Sequence, residues 1–112
     1  MLSVNKENPF SIFQDSQEDL WLGTRDGGLN RLRMSNGVST GKFTRYNNQN
    51  HSPNSFKGRE VSCIFEDRHQ NLWFGTNGDG LNVLRRKSRQ DEQPDFQHFG
   101  KKEGLLGDAV FG

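Results

Sequence analysis

Short apolar runs alternate with polar turns along the whole chain, and no run keeps the three- and four-residue spacing of an amphipathic helix. The runs are rich in aromatic and β-branched side chains and are separated by Gly, Asn and Asp, which is typical of β-strands joined by tight turns. In the second half of the chain the predicted strands are Val61 to Glu66, Leu72 to Thr76, Leu81 to Arg85 and Phe96 to Phe99.

The same pattern occurs twice. DLWLGTRDGGLNRLR, residues 19–33, is followed 52 positions later by NLWFGTNGDGLNVLR, residues 71–85, and residues 12–33 laid over 64–85 are identical at 12 of 22 positions. Repeats of roughly 40 to 50 residues that each hold four strands are typical of propeller blades. The sequence therefore predicts an all-β fold, a β-propeller fragment of about two four-stranded antiparallel blades plus the start of a third.

The repeat also sets the expected boundaries. The third copy is inferred because Leu105, Gly107 and Val110 match positions in the loop and strand that open the second unit. The expected segments are an incoming linker from a preceding blade at 1–9, a first blade at 10–47, an inter-blade loop at 48–60, a second blade at 61–100, and a linker with the first strand of a third blade at 101–112.

Residues repeated at matching positions are expected to be structural. Each Trp has apolar neighbours on both sides and is predicted to pack between blades. The Gly-Thr that follows would let the strand end approach neighbouring backbone, with the hydroxyl free to bond a turn amide. Later glycines would supply positive φ at a tight reversal. The repeat motif comprises Asp15, Trp21, Gly23, Thr24, Gly28 and Asn30 in the first unit, and Asp67, Trp73, Gly75, Thr76, Gly80 and Asn82 in the second.

Composition narrows the possible functions. A single cysteine excludes an internal disulfide framework, so Cys63 is expected to be a small buried apolar residue instead of a redox centre. A net charge of +1, from 15 basic and 14 acidic residues, gives no electrostatic case for nucleic acid or direct membrane contact. The cluster of Arg85, Arg86, Lys87 and Arg89 is interpreted as a solvated strand end, in preference to a phosphate-binding patch.

Candidate chemistry is sparse. His51, His69 and His98 lack a second ligand at metal-binding spacing, so they are expected to be surface histidines. Asp15, Gln17 and Asp19 have the first spacings of a calcium loop, but Leu20 stands where that loop needs glycine. Glu7, Asp26 and Glu103 lie outside the repeat and resemble ordinary loop charges. We therefore expect no catalytic residue, metal ligand or cofactor in this chain, and the ligand-binding residues stay unknown.

No stretch has the apolar core of a signal peptide or the roughly 20 apolar residues of a membrane helix. A targeting segment could lie upstream, because the chain begins and ends inside a repeat.

The doubled motif, F/I-x-D-x-x-x-x-L-W-L/F-G-T-x-x-x-G-L-N-x-L, resembles the two-component regulator propeller repeat. FTRYNNQNHSPNSFKGREVSCIFED, residues 43–67, also looks like that family's link between blades. The resemblance covers roughly residues 10–112. It implies a parent protein with many blades in the periplasm, followed by an immunoglobulin-like domain, a membrane helix and a histidine kinase or another signalling output. It also implies oligosaccharides as ligands.

This chain departs from the family's pattern at one turn. The family usually has glycine two residues before the Leu-Trp pair, where this chain has Glu18 and Gln70. Either these residues adopt a strained turn, at a cost of about 1 kcal/mol each, or the turn type differs.

Three functions compete at this point. The leading hypothesis is a ligand-sensing propeller whose blades position loops that bind ligand. The alternatives are a protein-interaction scaffold and, less favoured, a propeller-type lyase or glycosidase with a His, Glu or Tyr in the channel that is unique to one blade. Two blades leave strand edges and apolar faces uncovered, so the isolated chain is expected to self-associate or stay partly folded unless the remaining blades of its parent cover it.

Overall fold

In a computed structural model, residues 9–25, 27–47, 54–91 and 93–100 of the chain are described. They form two antiparallel sheets of four strands each, and each sheet is a meander in which neighbouring strands are consecutive in sequence. The strands of the first sheet are β1 (Pro9–Gln14), β2 (Leu20–Thr24), β3 (Leu29–Ser35) and β4 (Val38–Tyr46), and those of the second are β5 (Val61–Glu66), β6 (Leu72–Thr76), β7 (Leu81–Leu84) and β8 (Phe96–Phe99).

The architecture confirms the predicted all-β class and the four strands per unit. Two details differ from the sequence prediction. Strand β7 ends at Leu84, one residue early, and a single 3₁₀ turn at Arg86–Ser88 opens the connection to β8. The Ser88 hydroxyl accepts a bond from the Asp95 amide and donates one to the Asp91 carboxylate, which closes this connection into a compact loop.

Each blade has two distinct faces, because residues paired across strands share a face and alternate along a strand. The leading face of the first blade carries Ser11, Phe13, Trp21, Leu29 and Tyr46, and its counterpart in the second blade carries Cys63, Phe65, Trp73, Leu81 and Phe99. The trailing face of the second blade carries Ile64, Leu72, Phe74, Leu84 and Phe96, and its counterpart in the first carries Ile12, Leu20, Leu22, Leu32 and Phe43.

The hydrophobic core lies between the leading face of the first blade and the trailing face of the second. Trp21 is fully buried and its ring centroid lies 5.2 Å from that of Phe74. Phe56, from the loop before β5, meets Phe74 and Phe96 edge-on at 5.8 and 5.3 Å. Aromatic rings bury large areas per residue, so a chain with only 29% hydrophobic residues still builds a continuous core.

The first and second strands of one blade approach the first strand of the next, and glycine permits this contact. A Cβ atom at Gly23 would lie 2.8 Å from Cβ of Val61 and 2.4 Å from Oγ of Ser11. Real Cβ atoms do not approach so closely, so Gly23 lets β2 lie directly against β5.

Backbone groups of the loop between the blades form hydrogen bonds with both blades. The side chain of Asn82 accepts a hydrogen bond from the Lys57 amide and donates one to the Lys57 carbonyl, at 2.9 and 2.8 Å. Asn54 and Arg59 offer backbone carbonyls to the Phe96 and Gly28 amides. Asn82 thus clamps the extended segment that carries Phe56 into the core.

The reversals after β2 and β6 depend on the Thr and Gly of the repeat. Thr24 Oγ1 accepts a bond from the Gly27 amide and donates one to the Gly28 carbonyl, and Thr76 makes the same pair with Asp79 and Gly80. Both Gly28 and Gly80 have positive φ, and a Cβ at Gly80 would lie 2.3 Å from the Phe99 carbonyl oxygen. The hydroxyl and the glycine therefore act together in each turn.

The turns after β1 and β5 have the strained conformation expected where the chain lacks the family's glycine. Glu18 and Gln70 adopt φ of 72° and 65°. Both residues are exposed, and their side chains pack against little that would offset the strain.

Replacing Gln70 with glycine is therefore expected to stabilise the chain. Relief of left-handed strain, less the extra entropy of glycine in the unfolded chain, gives a net gain of about 0.5 kcal/mol. Urea titration followed by tryptophan fluorescence would measure it. The control is His69→Gly, at an exposed residue of the same turn where φ is not positive, and a loss of stability in Gln70→Gly would contradict the strain.

Candidate functional site

Each blade uses one aspartate to join its first hairpin to its tryptophan. Asp15 Oδ2 accepts a 2.7 Å bond from Trp21 Nε1, while Oδ1 accepts bonds from the amides of Gln17 and Asp19. Asp67 repeats the arrangement with Trp73 at 2.9 Å and with the amides of two residues of its own turn. These contacts engage both carboxylate oxygens of each aspartate within its own blade.

Asp67 is held strongly in its charged form. The hydrogen bond from Trp73, the Asn71 amide and smaller contributions from the His69 amide and Asn71 side chain outweigh desolvation, and lower the pKa of Asp67 from 3.8 to about 2. Because the folded-state pKa is depressed, the stabilisation is complete above about pH 4 and is lost as the pH falls toward 2.

This shift predicts a pH-dependent difference between the wild-type chain and Asp67→Asn. The variant is expected to be less stable at neutral pH, where it loses the charge-assisted bond to Trp73, and the difference should shrink as the pH falls from about 4 to 2. Urea titrations across that range would test it. A difference that stays constant with pH would show that Asp67 acts without its charge, and Asp95→Asn, on an exposed loop carboxylate, is the matched control.

A buried arginine joins the two blades at the rim that carries these hairpins. Arg89 is fully buried and its Nη1 donates to Glu66 Oε2 at 2.9 Å and to the Gln70 carbonyl at 3.0 Å. Its Nη2 lies 2.7 Å from Asp15 Oδ2, at an angle that makes an ion pair without a hydrogen bond. Arg89, from the second blade, thereby ties its own Glu66 to the Asp15 hairpin of the first.

Glu66 completes this arrangement by binding the first blade directly. Its carboxylate accepts bonds from the backbone amide and hydroxyl of Ser16, at 2.7 and 2.5 Å. Burial raises the pKa of Glu66, but the bonds from Ser16 and Arg89 outweigh it, so the net pKa is lower than that of a free glutamate.

A second buried arginine adds to the junction from the other side. Arg31 Nε and Nη2 bind Asp19 Oδ2 at 3.1 and 2.9 Å, and Nη1 donates to the Arg89 carbonyl at 2.6 Å. The guanidinium also lies 4.5 Å from the ring centroid of Trp21, which is a cation–π contact. Arg33 reaches both Asp19 and Gln90, and Gln90 bonds Gln17. We call the set Asp15, Asp19, Arg31, Glu66 and Arg89 the junction cluster.

The sequence interpretation of Arg89 was wrong. Arg89 was grouped with the solvated cations of a polar loop, yet it is fully buried, and Ser88 beside it is also buried. The available signal was the departure from the repeat: Asp19 and Arg31 stand where the second unit has Asn71 and Val83. An opposite-charge pair that replaces neutral residues, one just before β2 and one within β3, indicates a buried ion pair, although its partner loop could not be inferred.

The other candidate side chains are dispersed. Cys63 is only partly buried, which corrects its interpretation as a buried residue. His69 is exposed, whereas His98 is half-buried with Nε2 2.8 Å from the Ser55 carbonyl oxygen. His51, Glu7, Asp26 and Glu103 lie outside the described residues. Within the described part of the chain, no three acidic, histidine or cysteine side chains are grouped as a metal site would require.

Two open clefts lie at the same rim of the blades as the junction cluster. One, of about 320 Å³, lies between the blades and is lined by Arg33, Lys42, Thr44, Tyr46, Gln90 and Asp91. We call it the junction cleft. The other, of about 650 Å³, lies on the second blade and is lined by Asn71, Arg85, Arg86, Lys87 and Gln97. We call it the basic groove.

The remaining repeat residues serve the frame of the blades. Asn82 clamps the loop before β5, as described above, and Asn30 is buried at the matching position, where its Oδ1 accepts a weak 3.4 Å bond from Arg45. Gly75 is buried opposite Cys63 in the sheet. None of these residues lines the junction cleft or the basic groove.

Comparison with known proteins decides the family. The sequence model of the two component regulator propeller matches residues 3–26 and 55–78, one segment in each unit. The chain carries two repeats of the two-component regulator propeller family. The matched segments contain the aspartate, the tryptophan and the Gly-Thr of both propeller repeats, so the residues that match the family are those that hold the blade together.

A relative with a longer chain extends this assignment. Histidine kinase P4 of Formosa agariphila is 33% identical over 75 residues, which is 67% of this chain and 5% of the kinase. The propeller repeats thus resemble a small part of a two-component signalling protein, and the propeller repeat is a regulatory unit. Among the residues that the structure describes, no helix is long and apolar enough to cross a membrane.

Proposed function

We propose that this chain is part of the ligand-sensing β-propeller of a two-component signalling protein of the hybrid histidine kinase type. The observation that carries the proposal is the pair of propeller repeats packed against each other. The charged residues of the junction cluster form the contacts at this packing surface. The similarity to a histidine kinase supports the signalling context. The chain itself supplies scaffold and cleft residues, and catalysis belongs to the output part of the parent.

The proposed ligand class is an oligosaccharide. The lining of the junction cleft combines an aromatic residue, Tyr46, with neutral polar, cationic and acidic side chains: Thr44, Gln90, Arg33, Lys42 and Asp91. Such a mixture suits sugars, whose ring faces pack on aromatic carbons while their hydroxyls both donate and accept hydrogen bonds. The cleft lies where two blades meet, which is a common place for a ligand in a modular fold.

The sensing role is tested with the intact signalling protein in membrane vesicles. Autophosphorylation would be followed with and without oligosaccharides obtained by partial hydrolysis of polysaccharides. We expect one fraction to change the rate, and Thr44→Ala combined with Lys42→Ala, both in the junction cleft, to weaken that response while leaving the basal rate unchanged. An autophosphorylation rate that no oligosaccharide fraction changes would contradict glycan sensing.

The proposed location is the periplasm. The test uses the parent protein with its natural N-terminal part, truncated after Gly100 and fused there to alkaline phosphatase. A second fusion at the same residue carries green fluorescent protein, which reports the opposite location. Phosphatase activity without fluorescence is expected, and the opposite pattern would place the propeller in the cytoplasm.

A further inference from the structure

The leading face of the second blade is the partly uncovered equivalent of an interface that the chain already contains: Val83 on this face is buried, whereas its aromatic side chains stay partly accessible. On the first blade this face is covered: Trp21 is fully buried and the Ser11 hydroxyl donates to the Val61 carbonyl of the next blade. On the second blade, Phe65 is 49% exposed and stacks on a partly buried Trp73, with Phe99 behind it. Cys63 stands at the position of Ser11.

The polar rim of this face differs from the rim of the first blade. Asp15 leaves an oxygen for Arg89, whereas the corresponding oxygen of Asp67 is taken by the Asn71 side chain at 3.3 Å. Arg31 corresponds to Val83, and Asp19 corresponds to Asn71. The second rim therefore has no place for a buried arginine like Arg89.

Positive charge dominates the basic groove at this rim. Arg85 is fixed by a bond from its Nε to Gln97, and the Asn71 side chain holds the Arg86 amide. Asp91 and Asp95 line an adjoining pocket with Arg85 and Lys87. Within the described residues, no carboxylate lies within ion-pair distance of these three cations, and none lines the groove itself.

We propose that the leading face of the second blade is the seat for a further propeller blade of the same protein, whose inserted loop brings a carboxylate to the basic groove. At the existing junction, the incoming loop of residues 88–91 enters the corresponding place on the first blade, so continuity with that interface defines the docking geometry. Unpaired cations facing a groove select an acidic loop and disfavour a basic one.

A second copy of this chain could cover the apolar part of the seat, but it offers no complementary charge at the rim. Its trailing face would offer Ile12 and Phe43, which are 62% and 40% exposed, against Trp73. However, Gln14 stands where the second blade has Glu66, and the β3–β4 hairpin is formed by Ser35, Asn36, Gly37 and Val38. A second copy would therefore bring no carboxylate to the groove, and its apolar contacts alone would give weak pairing.

Cys63 provides a direct probe of this face, because it is the single cysteine of the chain and lies beside Phe65 on the proposed seat. The first measurement is its rate of alkylation by iodoacetamide in the isolated chain at increasing chain concentration. A constant rate is expected. Protection that rises with concentration, with a matching rise in mass by sedimentation, would overturn the proposal and identify a second copy as the occupant.

The second measurement follows the Cys63 peptide by mass spectrometry in the intact protein. Alkylation there is expected to be roughly tenfold slower than in the isolated chain, because the seat opens only by local unfolding. The double variant Arg85→Glu with Lys87→Glu should restore most of the reactivity, and Lys42→Glu, a charge reversal on the first blade, should not. Equal reactivity in the intact protein and the isolated chain would overturn the proposed blade.

Charge dependence separates an acidic loop from an apolar contact alone. Arg85→Gln with Lys87→Gln should give an intermediate rate, and added salt should speed alkylation of the wild type more than of this neutral variant. Rates that are insensitive to both changes would rule out the carboxylate. The proposal rests on the propeller repeats and not on the sensing role, so a failed ligand response would leave these outcomes unchanged.

Discussion

Replacing Arg89 with methionine is expected to lower the free energy of unfolding by about 3 to 5 kcal/mol, the cost of breaking a buried ion pair from one side. The variant leaves the Asp15 and Glu66 carboxylates at the junction without their cation, and both are nearly inaccessible to water. Domains of this size have total stabilities of about 5 to 15 kcal/mol, so a loss of this magnitude is a large part of the whole.

The size of this effect follows from geometry as well as charge. The Arg89 guanidinium contacts two carboxylates and the Gln70 carbonyl at once: Nη1 donates hydrogen bonds to Glu66 and to that carbonyl, and Nη2 forms an ion pair with Asp15. A lysine at this position keeps the charge but cannot reach all three acceptors. Arg89→Lys is therefore expected to recover only part of the lost stability.

Urea titration followed by circular dichroism would measure both variants. The matched control is Arg86→Met, three residues earlier in the same loop, where the side chain is exposed and has no ion-pair partner among the described residues. Its change should stay within about 0.5 kcal/mol. If Arg89→Met is as mild as Arg86→Met, the two blades do not depend on the junction cluster.

Removing the arginine and its two carboxylates together separates the net contribution of the cluster to stability from the penalty of leaving buried charges unpaired. A triple variant with Arg89→Met, Glu66→Gln and Asp15→Asn should be more stable than Arg89→Met alone, because it leaves no buried charge without a partner. If it is less stable than the single variant, the carboxylates stabilise the junction without the arginine, through Ser16 and Trp21.

The strands and their turns were predictable from sequence because their causes are local. Short apolar runs bounded by turn residues, the Gly-Thr step and the doubled motif each act within a few residues, and three of the four strands predicted in the second half, all except β7, have the bounds observed. The strain at Glu18 and Gln70 was also visible, since a turn that usually holds glycine forces positive φ on whatever replaces it.

The place of Arg89 in the junction cluster was not predictable, because its cause is not local. Arg89 meets Asp15 across 74 positions of sequence, and nothing in its own neighbourhood distinguishes it from Arg86. The loop that carries it is longer than its counterpart in the first blade, so the repeat offers no template for where its side chain goes. Hydrophobic patterning indicates which face of a strand is buried. It does not indicate which charged side chain of a distant loop packs against that face.

Replacing Trp21 and replacing Trp73 are expected to cost very different amounts of stability, because the two residues occupy the same repeat position in two different environments. Trp21→Ala is expected to destabilise the isolated chain by about 3 to 5 kcal/mol, as for other fully buried aromatic residues. It removes the contacts with Phe74 and Tyr46, the bond to Asp15 and the ring beneath Arg31.

Trp73→Ala is the matched control. Its ring stacks between Phe65 and Phe99 and bonds Asp67, but it is only partly buried. The expected cost in the isolated chain is about 1 to 2 kcal/mol, because less apolar area returns to water. Thermal and urea unfolding by circular dichroism would measure both variants, since neither retains both fluorophores.

If Trp21→Ala does not fold, Trp21→Phe keeps an aromatic ring and loses the indole N–H, and its cost compared with Trp73→Phe still ranks the two sites. Equal costs at the two positions in the isolated chain would mean that Trp73 is already covered, and would contradict the open leading face of the second blade. In the intact protein the contrast should disappear. There, a further blade would bury Trp73 as the second blade buries Trp21, and the two identical positions of the repeat would then contribute alike.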